Sequence, residues 1–175
     1  MAEEAALSIA PTSGGAGARA EKEGETRQFL TFSVAQAEYG VDIMKVMEIR
    51  GWSETTRIPN SPDYMRGVIN LRGLVIPIFD LRTRFGQGPT EVHEKNVVIV
   101  IAVGKRMLGI LVDAVSDILT VESSEIKDAP DTSDTGIDER YVRGLISVKE
   151  KMVVILDADH LFDSETLKEA EKITH

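Results

Sequence analysis

The sequence predicts a mainly β fold made of two similar, small five-stranded β-barrels of SH3-like size packed side by side, with short helices and a C-terminal helix. Three observations predict it. The 175 residues contain 17 Val and 16 Ile against 12 Leu, a β-branched excess that suits pleated surfaces better than helical bundles. The chain also repeats itself: residues 65–86 match residues 142–163 at an offset of 77, and upstream the offset is 69. Finally, halves of about 60 residues are too small for sandwiches, and closing each into a barrel removes its sheet edges.

The repeat is read residue by residue. Met65-Arg66-Gly67-Val68-Ile69 falls on Val142-Arg143-Gly144-Leu145-Ile146, Ile78-Phe79-Asp80 on Ile155-Leu156-Asp157, and Phe85 on Phe162. At the other offset Phe29–Val34 falls on Val98–Val103, Gly40-Val41 on Gly109-Ile110, Val46 on Val115 and Ile49 on Ile118. The first barrel therefore covers about 28–86 and the second about 97–163, with strand exchange between them allowed. The change of offset places an insertion between Ile118 and Arg143, in the Asp- and Ser-rich stretch 122–139.

Residues 1–27 are rich in Ala, Gly and Glu with few large apolar side chains, and are expected to be a disordered tail. Phe29–Val34 alternates and reads as a half-buried strand, whereas Val97–Val103 is continuously apolar and reads as a strand covered on both faces. In Asp42–Ile49 the apolar Ile43, Val46, Met47 and Ile49 fall mostly at helical spacing behind an Asp42 cap, predicting about two helical turns. Ser61-Pro62-Asp63 reads as another helix start. Strands Arg66–Asn70 and Leu74–Phe79 flank Leu71-Arg72-Gly73, a three-residue bulged hairpin connection with Arg72 at its tip. Pro77 cannot donate to a ladder, so its strand must lie at an edge or be interrupted there. A helix from Ser164 to about Ile173, within 164–175, closes the chain.

Composition removes several functions. Without cysteine there is no disulfide, thiol nucleophile or thiolate metal site. The longest pure apolar run is seven residues, Val97–Val103, far below the roughly 20 needed to span a bilayer, and the N-terminus lacks the charge and h-region of a signal peptide; an intracellular protein is expected. His93, His160 and His175 stand at no helical metal spacing. Asp157, Asp159 and His160 suggest a hydrolase, yet the repeat puts Arg82 opposite Asp159, so the shared Asp80/Asp157 position reads as structural, bonding a turn. No G-x-S-x-G elbow or phosphate loop occurs in context. The expectation is no enzyme, no cofactor and no metal. A net charge of -9 and nine aromatics weigh against a single-stranded nucleic-acid-binding barrel, which needs basic grooves and stacking rings. The charge is uneven: residues 45–86 carry +3 and residues 122–139 carry -6, a distribution able to orient protein partners.

The residues then become recognisable. The stretch Glu38-Tyr39-Gly40-Val41-Asp42-Ile43-Met44-Lys45-Val46-Met47-Glu48-Ile49-Arg50-Gly51-Trp52 closely resembles the CheW family of chemotaxis coupling proteins. The likeness continues through Arg57-Ile58-Pro59-Asn60-Ser61-Pro62, Ile69-Asn70-Leu71-Arg72-Gly73, Pro77-Ile78-Phe79-Asp80-Leu81-Arg82 and Gly109 to Leu119. The resemblance implies a two-barrel cytoplasmic adaptor, recruited to membrane-associated receptor clusters without inserting into the membrane. Its implied partners are the cytoplasmic tip of methyl-accepting chemotaxis receptors and the regulatory domain of the histidine kinase CheA, with weak self-association or ring assembly. By motif match, Val46, Glu48, Ile49, Arg72, Val97, Val115 and Ile118 are the implied receptor-binding residues. Gly67, Gly144 and Lys127 are the implied kinase-binding ones. Val46 and Ile49 suit an apolar groove for a helix, and the Arg72 fork suits carboxylates; barrel core is the competing reading of the apolar positions, and relief of strand crowding that of the glycines. One departure concerns a second kinase contact near Ile126–Pro130, where the family often has an apolar or aromatic side chain but Asp131–Gly136 is polar. A related coupling module of a non-flagellar, pilus-type pathway fits the same residues.

Overall fold

The computed structural model describes residues 25–128 and 139–162. Among these residues ten strands dominate: β1 Thr26–Val34, β2 Ala37–Asp42, β3 Val46–Gly51, β4 Met65–Leu71, β5 Leu74–Asp80, β6 Val97–Val103, β7 Arg106–Val112, β8 Ala114–Glu122, β9 Val142–Val148 and β10 Lys151–Leu156. The helix α1 Leu81–Arg84 and 3-10 turns at Ile43–Lys45, Ser123–Glu125 and Glu139–Tyr141 join them. The helix expected over 164–175 and the polar run 131–136 lie outside the described residues. Thr26 and Arg27 pair with Glu122 and Val121, so the first strand starts ahead of residue 28.

The strands form two five-stranded sheets, in the orders β9-β10-β2-β1-β8 and β4-β5-β7-β6-β3. Each draws strands from both halves of the repeat: the first sheet takes β1 and β2 from the first half, and the second takes β6 and β7 from the second. Moving each strand to its repeat counterpart turns one order into the other. Register agrees to the residue, since Ile155 pairs with Gly40 and, 77 and 69 positions away, Ile78 pairs with Gly109. Neither sheet closes by a full ladder. Its two edges meet instead at one bridge, Thr56 with Val68 in one sheet and Lys127 with Leu145 in the other, each held by two backbone hydrogen bonds of 2.8–2.9 Å.

Alternation along the strands sorts side chains into three cores. Ile69, Ile76, Ile78, Val98 and Val100 pack together in one sheet, and Ile146, Val153, Ile155 and Phe29, the counterparts of the first four, pack together in the other. Between the sheets lies the largest cluster, including Leu30, Phe32, Tyr39, Phe79, Ile99, Ile101, Ile110 and Phe162. Because β6 gives Val98 and Val100 to one cluster and Ile99, Ile101 and Val103 to the inter-sheet cluster, its unbroken apolar run is explained. β1 does the same, so the half-buried strand expected for Phe29–Val34 is instead covered on both faces, with Phe29 and Thr31 buried. Thr31 tolerates this because its hydroxyl exchanges hydrogen bonds with the Asp117 backbone at 3.0 and 3.1 Å.

Other local expectations are corrected. Asp42 caps a single 3-10 turn through Met44 N at 2.9 Å, and from Val46 the chain is strand. At Ser61 no helix starts: the hydroxyl donates backward to the Ile58 carbonyl at 2.7 Å, and β4 begins at Met65. The hairpin connection is two residues, with Leu71 opposite Leu74 and φ of 52° at Arg72 and 89° at Gly73, both positive as a type I′ turn requires. Pro77 sits on an interior strand, and the parallel ladder to β7 starts only after it, at Ile78, whereas its counterpart Val154 pairs with Tyr39. Both ladders hold three pairs, so the proline displaces one of them by two residues along the strand rather than marking an edge.

Asp80 has the structural role expected of the shared aspartate. Fully buried, it accepts from Arg82 N and Thr83 N at the start of α1 and from Thr90 N and Oγ1 at 2.9 and 2.6 Å. Asp157 repeats the motif, accepting from Asp159 N at 3.0 Å.

Candidate interaction surface

β3 and β8 occupy equivalent edges of the two sheets, and both are bulged at the same place. In β3 Val46 opposes Ile101 and Glu48 opposes Val100, leaving Met47 extra; in β8 Val115 opposes Phe32 and Asp117 opposes Thr31, leaving Ser116 extra. Residues three apart on a regular strand face opposite ways, but the extra residue resets the alternation. Val46 and Ile49 therefore share the face of Ile101 and Ile99, toward the other sheet, and Val115 and Ile118 share that of Phe32 and Leu30. Val97, paired with Gly51 and Val112, lies on the same face of its sheet as Val46 and Ile49. Val46, Val97 and Val115 are half-buried against the central cluster, while Ile49 and Ile118 stand 45% and 51% exposed beyond it. On each edge strand an apolar track thus runs from the inter-sheet core into solvent.

The polar candidates meet beside that track. Arg72, at the tip of the β4–β5 hairpin, donates from Nη2 to Glu48 Oε1 at 2.5 Å, and Arg50 Nη1 approaches Glu48 Oε2 at 3.4 Å. The hydrogen bond from Arg72 holds the Glu48 carboxyl below its ordinary value, with the charges of Arg72 and Arg50 adding to it, and Glu48 in turn raises Arg72. The Arg72 side chain remains 72% exposed while that of Glu48 is 27% exposed. Such an open pair adds little stability; its effect is to orient the guanidinium. The turn beneath is fixed by Asn70 Oδ1, which accepts from Gly73 N at 2.9 Å.

Gly67, Gly144 and Lys127 gather at the two seams instead. A Cβ on Gly144 would stand 2.7 Å from Ile126 Cγ2 and 2.8 Å from the Lys127 carbonyl oxygen, and one on Gly67 would overlap the Thr56 carbonyl group. Both glycines are buried, and the close approach each permits is taken by the chain's own backbone. Sequence reasoning missed Arg50, the second cation on Glu48, and the exposed Met44 and Met47 that precede it along the chain; the one signal for Arg50 was its position two residues along the strand from Glu48.

The hydrolase candidates form a surface turn. His160 Nδ1 lies 2.7 Å from Asp157 Oδ2, and Asp159 pairs with Lys45 at 3.1 Å. Among the described residues, no group of three or more His, Asp and Glu could hold a metal ion.

Over residues 28–166, from within β1 to beyond β10, the chain matches the CheW-like domain. The chain belongs to the CheW family. It is 44% identical over 146 residues to the chemotaxis protein CheW of Klebsiella aerogenes, covering 82% of this chain and 87% of that protein. To the CheW of Bacillus subtilis it is 33% identical over 151 residues, covering 85% and 94%. The crystal structure of the scaffolding protein TtCheW from Thermoanaerobacter tengcongensis is similar with a TM-score of 0.74 at 30% identity, covering 85% of this chain and 95% of that one. This is a chemotaxis scaffold family with a mainly β fold, as the sequence motifs imply. No helix among the described residues is long and apolar enough to cross a membrane.

Proposed function

We propose that the chain is a non-catalytic cytoplasmic adaptor that couples methyl-accepting chemoreceptors to the regulatory domain of the kinase CheA at receptor clusters. The observation that carries this reading is the pair of apolar tracks on β3 and β8, equivalent under the repeat, with an oriented and exposed Arg72 beside one of them. A helical receptor tip supplies apolar side chains for Val46, Ile49, Val97, Val115 and Ile118 and carboxylates or carbonyls for the guanidinium. The kinase domain takes the exposed residues around the seams at Gly67, Gly144 and Lys127, and both partners are held together. A scaffold changes kinase activity only by binding one of its states better than another; the mechanism is positional.

The test is Arg72→Asp. Reversing this charge lowers affinity for a receptor cytoplasmic fragment while the unfolding temperature and kinase-domain binding stay near those of the parent. Equal loss of stability and of both bindings would mark Arg72 as structural and defeat the assignment.

A further inference from the structure

Seven of the nine aromatic residues form two chains of ring contacts. Phe32, Tyr39, Phe85 and Tyr141 are linked by centroid distances of 5.1–6.3 Å, and Tyr64, Phe79 and Phe162 by 4.5–6.2 Å. One cation joins the chains: the guanidinium carbon of Arg84, the last residue of α1, lies 4.7 Å from the Tyr64 ring centre, 5.0 Å from Tyr141 and 5.7 Å from Phe162. Its Nε donates to the Leu161 carbonyl at 3.1 Å. Among the described residues no carboxylate forms an ion pair with Arg84, so ring faces and one carbonyl are its partners there.

The repeat explains where this cation stands. Tyr64 and Tyr141 are 77 apart, and so are Arg84 and Leu161. Residues that touch their own repeat counterparts, or are flanked by a counterpart pair, lie next to the pseudo-twofold axis relating the two sheets. Tyr64 leads into β4 of one sheet and Tyr141 into β9 of the other, while Leu161 and Phe162 follow β10. Only the first half carries a cation at this position; in the second half the place is taken by Leu161, whose carbonyl receives the hydrogen bond.

We infer that Arg84 is a clamp on the pseudo-twofold axis that fixes the two sheets relative to each other, and with them the β3 and β8 edges. A planar cation suits the place because its two faces and its edge engage three rings and a carbonyl at once. A lysine ammonium has no face with which to do so.

The chain lacks cysteine, so the clamp is read directly by spin-label distances between Leu74→Cys and Met152→Cys, exposed sites on opposite sheets. The otherwise unsubstituted protein should give one narrow distance distribution, and Arg84→Gln a clearly broadened or shifted one with an unchanged far-ultraviolet circular dichroism spectrum. Arg84→Lys, which keeps the charge and loses the planar faces, should behave like Arg84→Gln and serves in its place if the glutamine variant does not fold. A parent-like distribution in either folded variant overturns the clamp. Without any substitution at Arg84, its Nε proton should give a slowly exchanging, ring-shifted NMR signal; a fast-exchanging, unshifted signal also overturns it.

Discussion

Replacing Gly67 by Ala should open the seam between Thr56 and Val68. Its φ of +141° is one that L side chains rarely adopt, and holding Ala there costs about 1–3 kcal/mol. The new Cβ would also lie 2.8 Å from the Thr56 carbonyl carbon, and relieving that overlap moves Thr56 off Val68 with loss of the two 2.9 Å hydrogen bonds of the seam, each contributing about 0.5–1.5 kcal/mol. The sum is about 2–6 kcal/mol, and at roughly 2–4 °C per kcal/mol for a chain of this size even the middle of that range lowers the melting temperature by about 8–16 °C. Gly144 has no positive φ, so Gly144→Ala carries the contact and seam terms alone, about 1–3 kcal/mol. Urea unfolding followed by the single tryptophan, Trp52, which packs against the cluster that includes Ile69 and Leu71 of β4, measures both. A Gly67→Ala protein within about 0.5 kcal/mol of the parent, or one less damaged than Gly144→Ala, would refute the seam argument.

Other outcomes follow from the same geometry. Carboxyl NMR titration should place Glu48 below the ordinary glutamate range and return it there in Arg72→Ala. Since its folded-state value is the lowered one, the stability it contributes is present above the unfolded value and lost as pH falls through the folded one; an unmoved Glu48 titration in Arg72→Ala would contradict the pairing. Asp80→Ala strands four donors in a buried site and should cost about 2–4 kcal/mol in thermal unfolding, with a loss under about 1 kcal/mol counting against its capping role. Ile49→Asn and Ile118→Asn, at exposed positions, should change stability by about 0.5 kcal/mol or less and yet weaken receptor-fragment binding severalfold in a titration; unaltered binding in both would remove the two tracks from the contact.

How far the chain was legible depended on whether a residue acts locally or across the fold. The repeat predicted equivalent halves, and the equal registers at Ile78–Gly109 and Ile155–Gly40 carry that equivalence into the sheets. Exchange of β1, β2, β6 and β7 left no mark in the sequence, because both sheets contain every position of the repeat whichever half supplies it. The spacing of Val46 and Ile49 reads as helical in the sequence because a bulged strand also brings residues three apart onto one face. Arg72 was placed at a hairpin tip by its neighbours, but its pairing with Glu48 is a contact across 24 residues, which spacing does not encode. Gly67 and Gly144 were visible as a matched pair; what each makes room for became visible only once Thr56 and Lys127 were seen crossing them.

The central claim is simultaneous attachment of two partners through different surfaces. Sedimentation velocity on the purified chain mixed with a receptor cytoplasmic fragment and the isolated kinase regulatory domain tests it most directly. A ternary species that loses only the receptor fragment on Arg72→Asp substitution is the predicted result; binding of neither partner, or mutually exclusive binding of the two, would contradict it.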